Sequence, residues 1–494
     1  MNIKNAKKQI EATIKAYLAK DSEGRYLIPS NKQRPIFLVG APGIGKTEIM
    51  AQIASEMGIG LISYSMTHHT RQSAVGLPMI RHRQYGSEEF DITEYTMSEI
   101  ISSVYELMER SGVKSGILFL DEINCISETL IPIMLGFLQY KVFGGHKLPE
   151  GWVVVTAGNP PEYNSSVREF DIVTYDRLKL IEVTPDLDAW KEYAYSAGVH
   201  NAVISYLEIK PQNFYKIESS SGVRKFVTAR GWDDLGRALG AYEKLGIPAD
   251  KELIGQYIRI TQIADDFAMY YELYNKYKSD YKVTDLLAGR ADDEIRERAK
   301  KASFDERYSL LGLMLEALRE HTASVLEQEE LTEELKATLT KIKKHHHSGD
   351  LTALLHEEQR ACTDERERLK ASGGLSDYKD RLLTRKAEAL GKLALTAGGG
   401  FDAAAAAYSE RVEDFKSQVS GAKNEHTNMF AFCKEVFGEG QEMLILVTEL
   451  AASPVNARFI AHYGCDEYYE YDKKLMFSER RQSIVGEIDA LTSG

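Results

Sequence analysis

Cysteine is scarce in this chain of 494 residues, and the four present, Cys125, Cys362, Cys433 and Cys465, lie far apart. Without a C-x-x-C spacing they argue against a disulfide framework or a zinc site, and they fit a reducing compartment. Long apolar runs are missing too. No stretch approaches the roughly 18 residues of a membrane span, and the first residues hold no apolar signal region. Both absences point to the cytoplasm and to a protein with no membrane span. Nor is there a surplus of basic residues: the formal net charge is −13. That balance argues against a dedicated nucleic-acid binder, while leaving room for a local basic patch. What is present, 43% hydrophobic and 27% charged residues, is ordinary for a globular protein, and the length suits about three or four domains.

The strongest signal is Gly40-Ala41-Pro42-Gly43-Ile44-Gly45-Lys46-Thr47, which reads G-x-x-x-x-G-K-T. An apolar run, Ile36 to Val39, precedes it, and Glu48 to Ala54 follows with helical character. This is the strand, loop and helix that a phosphate-binding loop requires. Its glycines let backbone N–H groups face phosphate oxygens, and the new helix offers its positive end to the same anion. Lys46 is placed to meet the β- and γ-phosphates, and Thr47 to ligate magnesium.

Gly116 to Glu122 holds four apolar residues and ends in Asp121-Glu122. A continuous apolar run suits a parallel strand buried on both faces, with its acids at the ligand-binding carboxyl end. Asp121 is expected to hold magnesium, and Glu122 to orient and deprotonate the attacking water. Trp152 to Ala157 reads as another buried strand, which puts Asn159 where it could hold that water or the γ-phosphate. Met79–Arg83 and Phe90–Tyr95 form a hairpin candidate across Gly86. The adjacent His68-His69 and the triplet His345–His347 are read as loop rather than metal sites.

Residues 1–185 thus alternate strands and helices, predicting an α/β domain with a five-stranded parallel sheet and helices on both faces. A small helical lid is expected over 186–265, with Arg230 at a helix start. An all-helical region without a clean repeat period is expected over 266–494, with breaks at Gly373-Gly374 and Gly398–Gly400 and a last helix over 473–491.

The ordered set Gly40–Thr47, Ile117–Glu122, Asn159, Arg177 and Arg230 resembles an AAA+ ATPase of the MoxR type. Asp121-Glu122-Ile123-Asn124 matches that family's Asp-Glu-Ile-Asn, with Cys125 where the family often has Arg. Ser73 to Pro78 is partly similar to the stretch leading into the family's helix-2 insertion. Asp176-Arg177-Leu178 is similar to its Asp-Arg-Phe, whose Arg is a candidate arginine finger, with Arg168 as runner-up. Thr228-Ala229-Arg230 resembles its sensor-2 Thr-Pro-Arg. The resemblance covers about residues 25–265. It implies ATP and magnesium between two domains of one subunit, Arg230 in cis and Arg177 in trans. It also implies a hexameric ring that remodels a protein client or inserts a metal cofactor, with a von Willebrand A-domain partner. A nucleotide-switched scaffold with slow turnover and a DNA-handling AAA+ protein are the alternatives.

Overall fold

The computed structural model describes the chain except for residues 69, 71–73, 164–166, 169, 221–222, 346–350, 372–374, 376, 397–399 and 475–494. His69, His346-His347, the breaks at 373–374 and 398–399 and most of the helix expected over 473–491 therefore lie outside the described residues. Two compact units result, Met1–Asp186 with Arg360–Ala387, and Leu187–Gln359 with Glu388–Gly494.

The first unit opens with α1 (Ile3–Leu18), whose Ile10, Ile14 and Tyr17 are buried. Then come β1 (Ile36–Gly40), α2 (Glu48–Met57), β2 (Gly60–Ser65), β3 (Pro78–Tyr85), β4 (Glu88–Tyr95) and α3 (Glu99–Ser111). They are followed by β5 (Gly116–Asp121), α4 (Ile131–Tyr140), the short pair β6 (Val142–Phe143) and β7 (His146–Lys147), β8 (Trp152–Gly158), α5 (Ile172–Asp176) and β9 (Lys179–Val183). Five strands form one sheet in the order β2-β5-β8-β1-β9, and every pairing is parallel. The apolar runs explain it. Ile117 to Leu120 in β5 and all of β8 are buried, as strands covered on both faces must be. Helix ends are set locally: Ser98 accepts the Ile101 N–H to start α3, and Gly112, at φ 71°, ends it.

The β3–β4 hairpin pairs antiparallel from Pro78↔Tyr95 to Tyr85↔Glu88, so it extends beyond the expected short strands. Its side chains are almost all exposed.

In the second unit a large hydrophobic core gathers Trp190, Trp232 and Phe267 with Met314, Phe430, Leu446 and Ile460. The segment expected to be a helical lid carries an unforeseen hairpin, β10 (Lys216–Ser220) with β11 (Val223–Val227), antiparallel. These five-residue strands, Lys-Ile-Glu-Ser-Ser and Val-Arg-Lys-Phe-Val, are short and carry too little apolar alternation to declare themselves in sequence. Beyond them the described tail is helical, with Phe304–His345 and Gly400–Phe437 the longest elements. Among the described residues no single helix is long and apolar enough to cross a membrane. One sharply bent pair, Gln441–Ala452 with Pro454–Tyr463, passes on length and composition together, and it sends Leu446, Leu450 and Ile460 into the core.

Candidate active site

Neighbouring strands β5, β8 and β1 end at one edge of the sheet. That edge brings Asp121, Asn159 and the Gly40–Thr47 loop together although 113 positions separate Lys46 from Asn159. Gly43 and Gly45 take φ of 72° and 91°, the left-handed region that only glycine enters freely. Gly40 is needed for a different reason: a Cβ there would stand 2.5 Å from the Val183 carbonyl oxygen. Ala41 and Ile44 are buried and anchor the loop, and Pro42 stiffens it between them.

Lys46 is 8% exposed. Its Nζ donates to Gly40 O at 2.9 Å, Ala41 O at 2.8 Å and Asn159 Oδ1 at 2.9 Å. An ammonium has three N–H donors, so a phosphate oxygen entering the loop must take over one of these bonds. The Thr47 hydroxyl donates to Asp121 Oδ2 at 2.8 Å, while Asp121 Oδ1 accepts the Glu122 N–H at 2.9 Å. A hydroxyl and a carboxylate at the phosphate end are hard oxygen donors. They suit magnesium, which completes its shell with water and phosphate oxygens. Among the described residues no cluster of three His, Cys, Asp or Glu could hold a metal by itself.

Glu122 sits at φ 56° and ψ 36°, a left-handed conformation that costs a non-glycine residue on the order of 1–2 kcal/mol. Its carboxylate accepts from Ser65 Oγ at 3.0 Å and Thr67 Oγ1 at 3.3 Å. Sequence reading missed both hydroxyls. The pairing Ser65↔Asp121 in the β2–β5 register brings them level with the acids, and only the length of two apolar runs hints at that. Sequence reading named Asn124 only as part of the Asp-Glu-Ile-Asn match, without its bond to Asn159: Asn124 Nδ2 donates to the Asn159 carbonyl at 2.8 Å. Partial burial and the charges of Glu122 and Asp121 raise the thiol pKa of Cys125.

The arginines are placed differently. Arg168 is exposed, and its guanidinium pairs with Glu128 at 2.5 Å. Arg177 is exposed at the end of α5, its N–H bonded to the Thr174 carbonyl, and among the described residues no bond joins it to the phosphate loop. It does help, behind the Thr174 bonds, to hold the Asp171 carboxylate below its usual pKa. Arg230 is exposed in the first turn of the helix Ala229–Leu245 in the second unit, where Thr228 caps the helix by accepting the Gly231 N–H.

Residues 36–168 match the model of the ATPase family associated with various cellular activities (AAA). No curated protein matches. One similar solved structure is an inferred ATPase from Cytophaga hutchinsonii, 14% identical with a TM-score of 0.23. It aligns over 37% of this chain and 46% of its own, so the present chain spans less than half of that protein. Another is a point mutant of RuvB from Thermotoga maritima, 15% identical with a TM-score of 0.29, over 61% of this chain and 75% of that one. Likeness at that level adds nothing to what the family match and the sheet establish. What this chain shares with known proteins is thus a match to the AAA model over residues 36–168, which supply four of the five parallel strands of the sheet.

Proposed function

We propose that the protein is an ATP-hydrolysing ring motor of the MoxR type that remodels a protein client. The observation that carries this reading is the pair of bonds Lys46–Asn159 and Thr47–Asp121, with Glu122 held beside them by Ser65 and Thr67. The phosphates of ATP lie on the amides of Gly43 to Thr47, and Lys46 exchanges a chain acceptor for a phosphate oxygen. Thr47 and Asp121 would hold magnesium, which, when bound, neutralises charge on the β- and γ-phosphates. Glu122 takes the proton of the attacking water, and Asn159, released from Lys46, orients that water or the γ-phosphate. Phosphoryl transfer needs positioning and charge neutralisation more than covalent help.

Arg177 then acts on a neighbouring subunit's ATP and Arg230 on its own. Beside Arg177 the apolar side chains Ile172 (87% exposed), Val173 and Leu180 stand in solvent, which suits a face that a second copy covers. A hexamer in the cytoplasm, and a von Willebrand A-domain partner docked on the C-terminal helices, complete the proposal.

The test is turnover. Glu122→Gln should bind ATP like the wild type and hydrolyse it roughly 100-fold or more slowly, the usual effect of losing a general base. Equal rates, or an assembled wild-type ring without hydrolysis, would sink the motor reading and favour a nucleotide-switched scaffold.

A further inference from the structure

Asn124 lies in the 3-10 turn Ile123–Cys125 directly after Glu122 and is 6% exposed. Its Nδ2 donates to the Asn159 carbonyl at 2.8 Å, and its own carbonyl accepts the Arg168 N–H at 2.9 Å. One residue therefore ties down both ends of the stretch from Asn159 to Arg168. Space is made for it: a Cβ on Gly158 would stand 2.4 Å from Asn124 Oδ1. Gly158 pairs with Val39, the residue before the phosphate loop, so the amide is wedged where β8 runs beside the loop's entry. Just beyond Arg168, Phe170 packs on Phe37 of β1 and on Tyr175 of α5, two residues before Arg177.

Asn124 Oδ1 is buried and accepts no hydrogen bond among the described residues. A buried acceptor left unpaired costs about 1–3 kcal/mol, so this side chain is a poor way to add stability. What it does is orient. Asn159 reaches Lys46 from a backbone that Asn124 holds, on the same turn that presents Glu122.

We infer that Asn124 is a positioning residue for hydrolysis, which sets Asn159 against the phosphate end of the site. This rests on the ATPase reading above. Nucleotide affinity comes mainly from Lys46, Thr47 and the loop amides, which Asn124 does not touch. Its loss should therefore fall on kcat. Displacing a catalytic group by about 1 Å can cost about 100-fold, so a loss of roughly 10- to 100-fold is expected, with KM for ATP within about threefold.

The experiment is a steady-state ATPase cycle on the full chain with wild type, Asn124→Ala, Asn159→Ala and the double variant, each with its melting temperature. The single variants should each lose kcat, and the double should be no slower than Asn159→Ala alone, because Asn124 acts through Asn159. Asn124→Asp keeps the volume and turns oxygen toward the Asn159 carbonyl. Gly158→Ala keeps Asn124 and pushes its amide away. Both should reproduce the kcat loss, and they decide the question by the same criteria if Asn124→Ala does not fold. The inference is overturned if the variants keep kcat within twofold, if the losses multiply in the double, or if KM rises with kcat unchanged. A wild type without turnover overturns the ATPase reading itself, whereas a turning-over wild type with multiplying losses overturns only the role of Asn124.

Discussion

Lys46 shows how one side chain can be committed before any ligand arrives. Its ammonium is spent on two loop carbonyls and Asn159. Lys46→Ala should abolish measurable ATP binding and leave the fold intact, since the loop's shape rests on Gly43, Gly45 and the buried Ala41 and Ile44. Titration with a fluorescent ATP analogue beside a melting curve checks both halves. His426 makes a different case. It is buried, Nδ1 lies 2.8 Å from the Ala422 carbonyl, and Nε2 has no partner among the described residues. Burial lowers its pKa from 6.5 to about 4. In the unfolded chain the ring takes a proton near pH 6.5, in the folded chain only near pH 4. Its contribution is therefore full above pH 6.5 and is lost as pH falls toward 4, on the order of 3 kcal/mol in total. Urea unfolding at pH 7.5 and pH 5 should show that loss, and His426→Phe, which can keep the stacking on Phe459, should flatten it. An unchanged pH slope in the variant would refute this account.

At the level of elements, the sheet's interior sets the tolerance. Gly116 starts β5 under the Trp152 ring, and an added Cβ would come 2.6 Å from that ring and 2.7 Å from the Gly60 carbonyl. One of those neighbours is backbone, so the sheet itself must move. Gly116→Ala should destabilise the protein by about 2 kcal/mol or more, read as a lower denaturation midpoint at unchanged slope. Gly45 is the contrasting case. Among the described residues nothing lies within 4 Å of its would-be Cβ, but φ is 91°. Gly45→Ala should therefore act through backbone strain on the loop and weaken ATP binding more than global stability.

Across the whole molecule, long-range polar links appear alongside the apolar core. In the second unit Lys191 is buried between Glu208 and Glu449, and Glu449 also accepts the Tyr195 hydroxyl. Burial and the Glu449 charge raise the pKa of Glu208. Removing one member of such a buried set leaves an uncompensated charge, so Lys191→Met should cost about 3–5 kcal/mol. The same unit's core joins Trp232 and Phe267 to Phe430 and Leu446. A chain stopped after Asp265 should accordingly expose that core, and its residues 187–265 should be digested by protease far faster than in the full chain. Equal resistance would show that the expected lid folds by itself. For the ring, mixing Arg177→Ala with Glu122→Gln subunits should restore some turnover. No rescue would pass the role to Arg168.

The sequence by itself determined what is local. The glycines at 43 and 45, the lysine and threonine after them and the helix start at Glu48 are fixed by spacing, because turns and helix ends depend on a few consecutive residues. Continuous apolar runs likewise determined the buried parallel strands and the strand-end acids. Tertiary structure decided the partners. Ser65 and Thr67 reach Glu122, and Asn124 reaches Asn159, only because the strand order sets β2 beside β5 and β5 beside β8. No short spacing encodes that order. It decided as well that one core spans the segment after Leu187 and the C-terminal helices, and that a polar stretch after Lys216 pairs as a hairpin. Apolar periodicity states which face of an element is buried. What it is buried against is chosen by packing between segments hundreds of residues apart.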